Sequence, residues 1–383
     1  MKTIITGGPL FDGHRLHDQG AVVFENGVIC RICGKTPDMN DAVLIHTKGN
    51  LIMPGLVDLH SDSLERSIEK RKGVFFDIDF AILNLDRQLA SWGITSFCHA
   101  VSFTDNEPGV RSPEEAQKCV RKIRAFADSS QALVKHRIHV RFELGSEISF
   151  GMIKELAAGG LVDMISIMDH TPGQGQFKSM EAYMKFYTGE YGLSCREIRE
   201  RIRKKQKCTA KSWEMVDELA DMARTAGIPM LSHDDDSEAK IDLIKSLGIG
   251  ASEFPVSMPA AEKAYQSGLC VFMGAPNLIR NCSSNGNLKA SEVLQKGFCT
   301  GLVSDYYPES LFQAPFVAAE YMQNFEQALM QVTSGPGAFL NCGSRPGCLV
   351  PGADADIIIV SRNHEWAHVT HAFVRGRSVF QIH

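Results

Sequence analysis

The sequence predicts an α/β protein, a (β/α)8 barrel with a small β-sandwich domain formed by both chain ends. Three observations carry this. The middle of the chain alternates short apolar runs with helical stretches. Both termini have strand texture only. Several central strands end in His, Asp or Glu. Alternating strands and helices give a parallel sheet, and active-site residues of such barrels gather at the strands' C-terminal ends.

Residues 1–52 supply the first part of the sandwich. Thr3 to Thr6 and Ala21 to Phe24 are β-branched or apolar, and Asn26-Gly27 marks a turn. Residues 342–383 supply the second part: Ala355 to Val360 and Ser378 to Ile382 read as strands, with a turn at Arg375-Gly376-Arg377. Between them, residues 53–341 exceed the ~250 residues of a barrel. The strand runs are Leu51–His60, Thr95–Val101, Arg137–Leu144, Met164–His170, Met230–His233, Ala251–Phe254, Val271–Ala275 and Gly301–Asp305. Pro113–Asp128, Ser212–Ala226, Ser237–Leu247 and Ala260–Gln266 read as helices. The polar stretch 171–211 is too long for a βα loop and reads as a helical insertion.

Composition narrows the function classes. The chain has 383 residues, 22% charged, with a formal net charge of −5. That balance argues against nucleic acid as a partner. No apolar run reaches membrane-spanning length and no signal peptide is evident at the start, so a cytoplasmic location is expected. Eleven scattered cysteines suggest reduced thiols; Cys30 and Cys33 form a lone C-x-x-C better explained by strand packing.

The run Met53-Pro54-Gly55-Leu56-Val57-Asp58-Leu59 closes in His60-Ser61-Asp62. Residues at i and i+2 of a strand share a side, so His60 and Asp62 project together as half of a divalent metal site. An isolated His-x-Asp is more often a strand-end His beside a solvated Asp. The other strand ends change that: Glu143, Asp169-His170, His233-Asp234-Asp235-Asp236 and Asp305 repeat the pattern.

These segments resemble the amidohydrolase superfamily. Asp58 to Glu65, Met168 to Gln174, Ser232 to Asp235, Glu253-Phe254-Pro255, Met273 to Asn277 and Ser304-Asp305-Tyr306-Tyr307-Pro308 resemble, within it, the diphosphatases of the carbon–phosphorus lyase pathway. The likeness covers nearly the whole chain. It departs at Lys70-Arg71-Lys72-Gly73, at Ser283 to Asn287 and at His99.

The resemblance implies hydrolysis of a ribose 5-triphosphate carrying methylphosphonate at C1, releasing pyrophosphate. It implies two divalent ions, Zn first, with Mn, Fe or Ni as alternatives. His60 and Asp62 would hold the first ion and His170 and His233 the second, with Glu143 between them. Asp305 would touch the first ion and accept the proton of the attacking water. Arg66, Arg71, Asp234, Asn277, Arg280 and Tyr306 would meet the phosphorylated substrate, and a homo-oligomer is a possible assembly. Two other readings stay open: an amidase or deaminase acting on a small cyclic or amino-substituted molecule, and a non-enzymatic metal scaffold.

Overall fold

The computed structural model describes residues 2–38, 41–105, 107, 109–172, 175, 179–191, 194–207, 209–283, 286–340, 343–362 and 366–382. Eight parallel strands form the barrel: β1 (Leu56–Ser61), β2 (Ile94–Phe103), β3 (Lys135–Glu143), β4 (Met164–Met168), β5 (Met230–His233), β6 (Ala251–Glu253), β7 (Cys270–Gly274) and β8 (Gly301–Val303). Each is hydrogen-bonded to the next in chain order. The seam between β8 and β1 closes at one point, where Ser61 and Asp305 form a parallel bridge. The Asp305 amide donates to the His60 carbonyl at 2.9 Å, and the Asp62 amide donates to the Asp305 carbonyl at 2.9 Å. The barrel is therefore joined at the residues the sequence singles out.

Two apolar layers hold this shape. The larger lies between the strands and the surrounding helices and includes Phe97, Val101, Ile138, Val140 and Phe142. The smaller fills the barrel's interior, with Cys98, Met164, Leu231, Ala251 and Phe272. The alternation of Phe97 and Cys98 between layers is the period-2 pattern of a strand buried on both faces.

The continuous apolar run Leu51–His60 is two strands, not one. Leu51–Pro54 pairs antiparallel with Ile357–Ser361 in the terminal sheet, and β1 starts at Leu56. Gly55 makes the crossing possible, because a Cβ there would lie 2.2 Å from the Thr95 side chain. The run is uninterrupted in sequence because each half is buried in a different core.

The terminal strands form one hydrogen-bonded network. Its order is Arg377–Gln381, His368–Val374, Ile357–Ser361, Leu51–Pro54, Lys2–Phe11, Leu16–Glu25 and Val28–Cys33, with Ala42–His46 pairing parallel to Lys2–Phe11. The Phe24 and Phe373 rings lie 6.1 Å apart although their strands are four places apart in that order. A flat sheet would separate them by ~19 Å. The network therefore folds over on itself around Ile5, Leu10, Val22, Ile357 and Ile359. Lys135, at the start of β3, ties this domain to the barrel through Asp354 and Asp356, each at 2.5 Å.

Within 171–211, Met180–Tyr191 and Cys195–Lys207 are helices with a small core of Tyr183, Tyr187, Ile198 and Ile202. Thr209–Ala226 already belongs to the helix leading into β5. No helix among the described residues is long and apolar enough to cross a membrane.

Candidate metal centre and its cavity

The C-terminal ends of the barrel strands carry the site. The residues following β5, β6 and β8 adopt left-handed backbone: Asp234 at φ 58°, Phe254 at 54° and Asp305 at 55°. Asp visits this region readily, but a bulky aromatic does not. Such strain persists where the surroundings enforce it, and it clusters at functional sites. Here the Asp234 amide donates to the Glu253 carbonyl, the Phe254 amide to the Phe272 carbonyl and the Asp305 amide to the His60 carbonyl. Each bend is thus pinned to a neighbouring strand.

Two groups of side chains converge closely enough to hold a metal ion: His60, His233 and Glu253, and His170, His233 and Asp234. The His60 and His233 rings are 5.6 Å apart, and those of His170 and His233 are 6.3 Å apart. The Phe254 ring lies 5.1 Å from both His60 and His233 and covers their edges. His60 Nδ1 lies 2.7 Å from Glu253 Oε1, yet both atoms are buried without an aligned hydrogen bond. His233 Nδ1 and Asp234 Oδ2, 3.1 Å apart, share that condition. Lone pairs that approach without bonding one another are suited to a common cation. Imidazole and carboxylate donors fit a divalent transition metal.

Burial and charge set the protonation tendencies. Burial, with the Arg141 charge and His233, holds the His60 imidazole well below the usual range. That favours the neutral, ligating form. The Asp305 carboxyl is pushed up to about 8, first by desolvation and then by Asp62. Asp62 is raised by the same burial and by Glu65. Burial also acts on Asp234, but His233 and His170 outweigh it and lower that carboxyl. Behind the cluster, burial pushes Asp58 up to about 7 and His139 down to about 3.

The sequence-predicted residues separate into groups. His60, Asp62, His170, His233, Asp234 and Asp305 converge at the barrel mouth. Glu143 reaches the cluster through His170: its Oε2 lies 2.7 Å from His170 Nδ1, and its Oε1 accepts from the His170 amide at 3.1 Å. Arg66 lies over the Tyr306 ring at 5.1 Å, and Arg280 donates to the Tyr306 hydroxyl at 3.2 Å. Asn277 lines the cavity, but its amide bonds Leu288 and Ala290 and shapes that loop.

Arg71 departs from the expectation. It sits in an exposed turn bridged to Val74 and does not line the cavity. The turn, with Gly73 at φ 75°, bends the basic run back into solvent. His99 also points elsewhere: it bonds His136, which bonds Asp86, in the layer between barrel and helices. Gly173, Gln174, Ser284 and Asn285 lie outside the described residues.

Three site residues were missed. Glu253 ends β6 as the other candidates end their strands. Arg141 stands two residues before Glu143 on β3, and that spacing was the signal for it. Arg111 follows β2 in a short 3-10 turn and pairs with Glu65 at 2.8 Å and Asp62 at 3.5 Å; no sequence pattern marked it. The cavity above the cluster has a volume of about 530 Å3, and Arg66, Arg111, Arg141 and Arg280 all line it.

Comparison with known proteins places this geometry. No family model matches the chain. The alpha-D-ribose 1-methylphosphonate 5-triphosphate diphosphatase of Escherichia coli (strain K12) is 31% identical over 366 residues, covering 94% of this chain and 96% of that protein. The chain belongs to this diphosphatase family. A dihydroorotase from Elusimicrobium minutum is 24% identical over 96% of the chain and 90% of its own length. Among solved structures, a prolidase complexed with n-methylphosphonate-l-proline covers 100% of both chains with a TM-score of 0.66 at 16% identity. A 5-methylcytosine deaminase from Klebsiella pneumoniae liganded with phosphonocytosine has the same TM-score and identity over 100% of this chain and 98% of its own. At such identities the two structures share this chain's fold.

Proposed function

We propose that the chain hydrolyses alpha-D-ribose 1-methylphosphonate 5-triphosphate to the 5-phosphate and pyrophosphate, in phosphonate breakdown. Beyond the family likeness, one observation carries this reading: four arginines line the cavity directly above a His and carboxylate cluster. A polyanion suits that lining better than a neutral cyclic amide. Phosphoryl transfer rests mainly on positioning and charge stabilisation, and guanidinium forks match phosphate oxygens.

His60, His233 and Glu253 would hold one divalent ion, and His170, His233 and Asp234 a second, with Zn the first candidate. Bound there, such ions supply an activated water and neutralise phosphate charge. Glu143 orients His170 through its Nδ1. Asp305 takes the proton of the attacking water on its carboxylate, and the peptide clasp to His60 and Asp62 holds it in place. Arg66 and Arg280, both braced on Tyr306, meet the outer phosphates.

The test is a substrate panel with metal-reconstituted protein. It compares the ribose methylphosphonate triphosphate, ATP, GTP, dihydroorotate and 5-methylcytosine, with pyrophosphate, phosphate, ammonia and ring-opened products followed separately. Pyrophosphate release fastest from the ribose methylphosphonate triphosphate is expected. Ammonia or ring opening with no pyrophosphate overturns the reading.

A further inference from the structure

Arg141 is a charged side chain deep in the site, with only 6% of its surface exposed. Its Nη2 lies 3.0 Å from His233 Nε2 and its Nη1 lies 3.4 Å from Ser102 Oγ. An imidazole and a hydroxyl supply no negative charge. Its Nε is buried with no hydrogen-bond partner at all. Other arginines in protected positions are matched: Arg111 with Asp62 and Glu65, and Arg124 with Asp163 at 2.7 Å. Asp62, Asp234 and Asp305 feel the charge of Arg141, but none forms an ion pair with it.

A guanidinium cannot shed its proton under ordinary conditions. An unmatched buried charge is costly, and proteins usually pair it. Arg141 lines the cavity, so a bound anion can reach it. The exposed rim contrasts with this. The Arg66 side chain is 64% exposed, and Arg280 is exposed beside Tyr306. Cations therefore stand at two depths, one at the floor beside His233 and one at the mouth. A single phosphate meets one level, whereas a chain of phosphates can span both.

We propose that Arg141 is the anion receptor of the cavity floor, its guanidinium binding the oxygens of an inner phosphate in the substrate's polyphosphate chain. The assignment rests on the polyphosphate reading above and adds the residue that fixes the chain's depth.

The test uses full-length, metal-depleted protein and inorganic tripolyphosphate, titrated by calorimetry, so that no bound metal contributes affinity. Wild type is expected to bind, and Arg141→Met to bind about tenfold more weakly or worse, as for a lost charge-assisted contact. The thermal midpoint of Arg141→Met should equal or exceed that of wild type, because an unmatched buried charge has been removed. Arg141→Lys keeps the charge but not the fork and should lose at least threefold. Binding by Arg141→Met within threefold of wild type overturns the proposal, and so does a wild type that does not bind. If Arg141→Met fails to fold, Arg141→Lys decides: a loss of threefold or more supports the role, and a smaller one overturns it. The substrate panel is independent of this titration. A wild type that binds tripolyphosphate through Arg141 but releases no pyrophosphate refutes the proposed reaction and leaves the receptor standing.

Discussion

Two His–carboxylate pairs in this barrel have the same separation and opposite character. His170 and Glu143 meet at 2.7 Å between β4 and β3, with an aligned hydrogen bond and a second bond from the His170 amide. His60 and Glu253 also meet at 2.7 Å, between β1 and β6, but no hydrogen bond forms and both Glu253 oxygens are buried without a hydrogen-bond partner. Distance alone does not distinguish them. Alignment does: the first pair satisfies itself, while the second leaves its lone pairs turned to a third body. A carboxylate that bonds the far side of a ligating His is an orienting group. One that converges with the His without bonding it has the geometry of a ligand.

The largest effect should therefore come from the unsatisfied pair. Glu253→Gln and His60→Asn are each expected to lower bound metal and activity together, because each removes a member of the same group. Elemental analysis and turnover on the same sample check this. Full metal in Glu253→Gln would reassign that residue to packing.

Asp305→Asn comes next. It keeps the peptide clasp to His60 and one carbonyl oxygen but loses the basic carboxylate. Metal should be largely retained while turnover falls ~10²–10⁴-fold, the usual worth of general acid–base catalysis. Turnover within about threefold of wild type at full occupancy would fall short of that loss and reduce Asp305 to a structural closure of the barrel.

Glu143→Gln should cost less. An outer carboxylate behind a metal-binding His contributes ~10–100-fold in metal affinity. The variant is expected to bind metal more weakly in a competition titration and to recover activity at high metal concentration. Failure to recover activity with metal saturated would move Glu143 from orienting group to ligand, as the sequence suggests.

The strand-end rule exposed His60, Asp62, Glu143, His170, His233 and Asp305 because barrel architecture sends those positions to one face. It could not tell Glu143 from Glu253, since alignment across strands depends on register that the sequence does not carry. Glu253 itself was legible, but the strand expected over Ala251–Phe254 ends one residue earlier, at Glu253, so Glu253 sat inside the expected strand and not at its end. His99 departs from the family pattern at a strand that is buried on both faces and carries polar residues on both, so period 2 gives no clue to which face looks inward. Arg141 shares a side of its strand with Glu143 by the two-residue spacing, but a guanidinium is no metal ligand, so the strand-end pattern of His and carboxylates does not single it out.

The smallest predicted effect separates two arginines that the sequence treats alike. Arg280 touches Tyr306 at the mouth, whereas Arg71 lies in a solvent-facing turn. Exposed charges contribute little to affinity, being solvated and screened. Arg280→Glu should raise KM by a few-fold or more, since reversal also adds repulsion, with kcat little changed, as for a contact that holds ground and transition states alike. Arg71→Glu should leave both constants within about twofold, a distant charge being largely screened beyond ~8 Å at physiological salt. Raising ionic strength should narrow the gap between Arg280→Glu and wild type for the same reason. If Arg71→Glu raises KM as much as Arg280→Glu does, the turn at 70–74 closes over the mouth when substrate binds. The rim would then include the basic run as well as the pair on Tyr306.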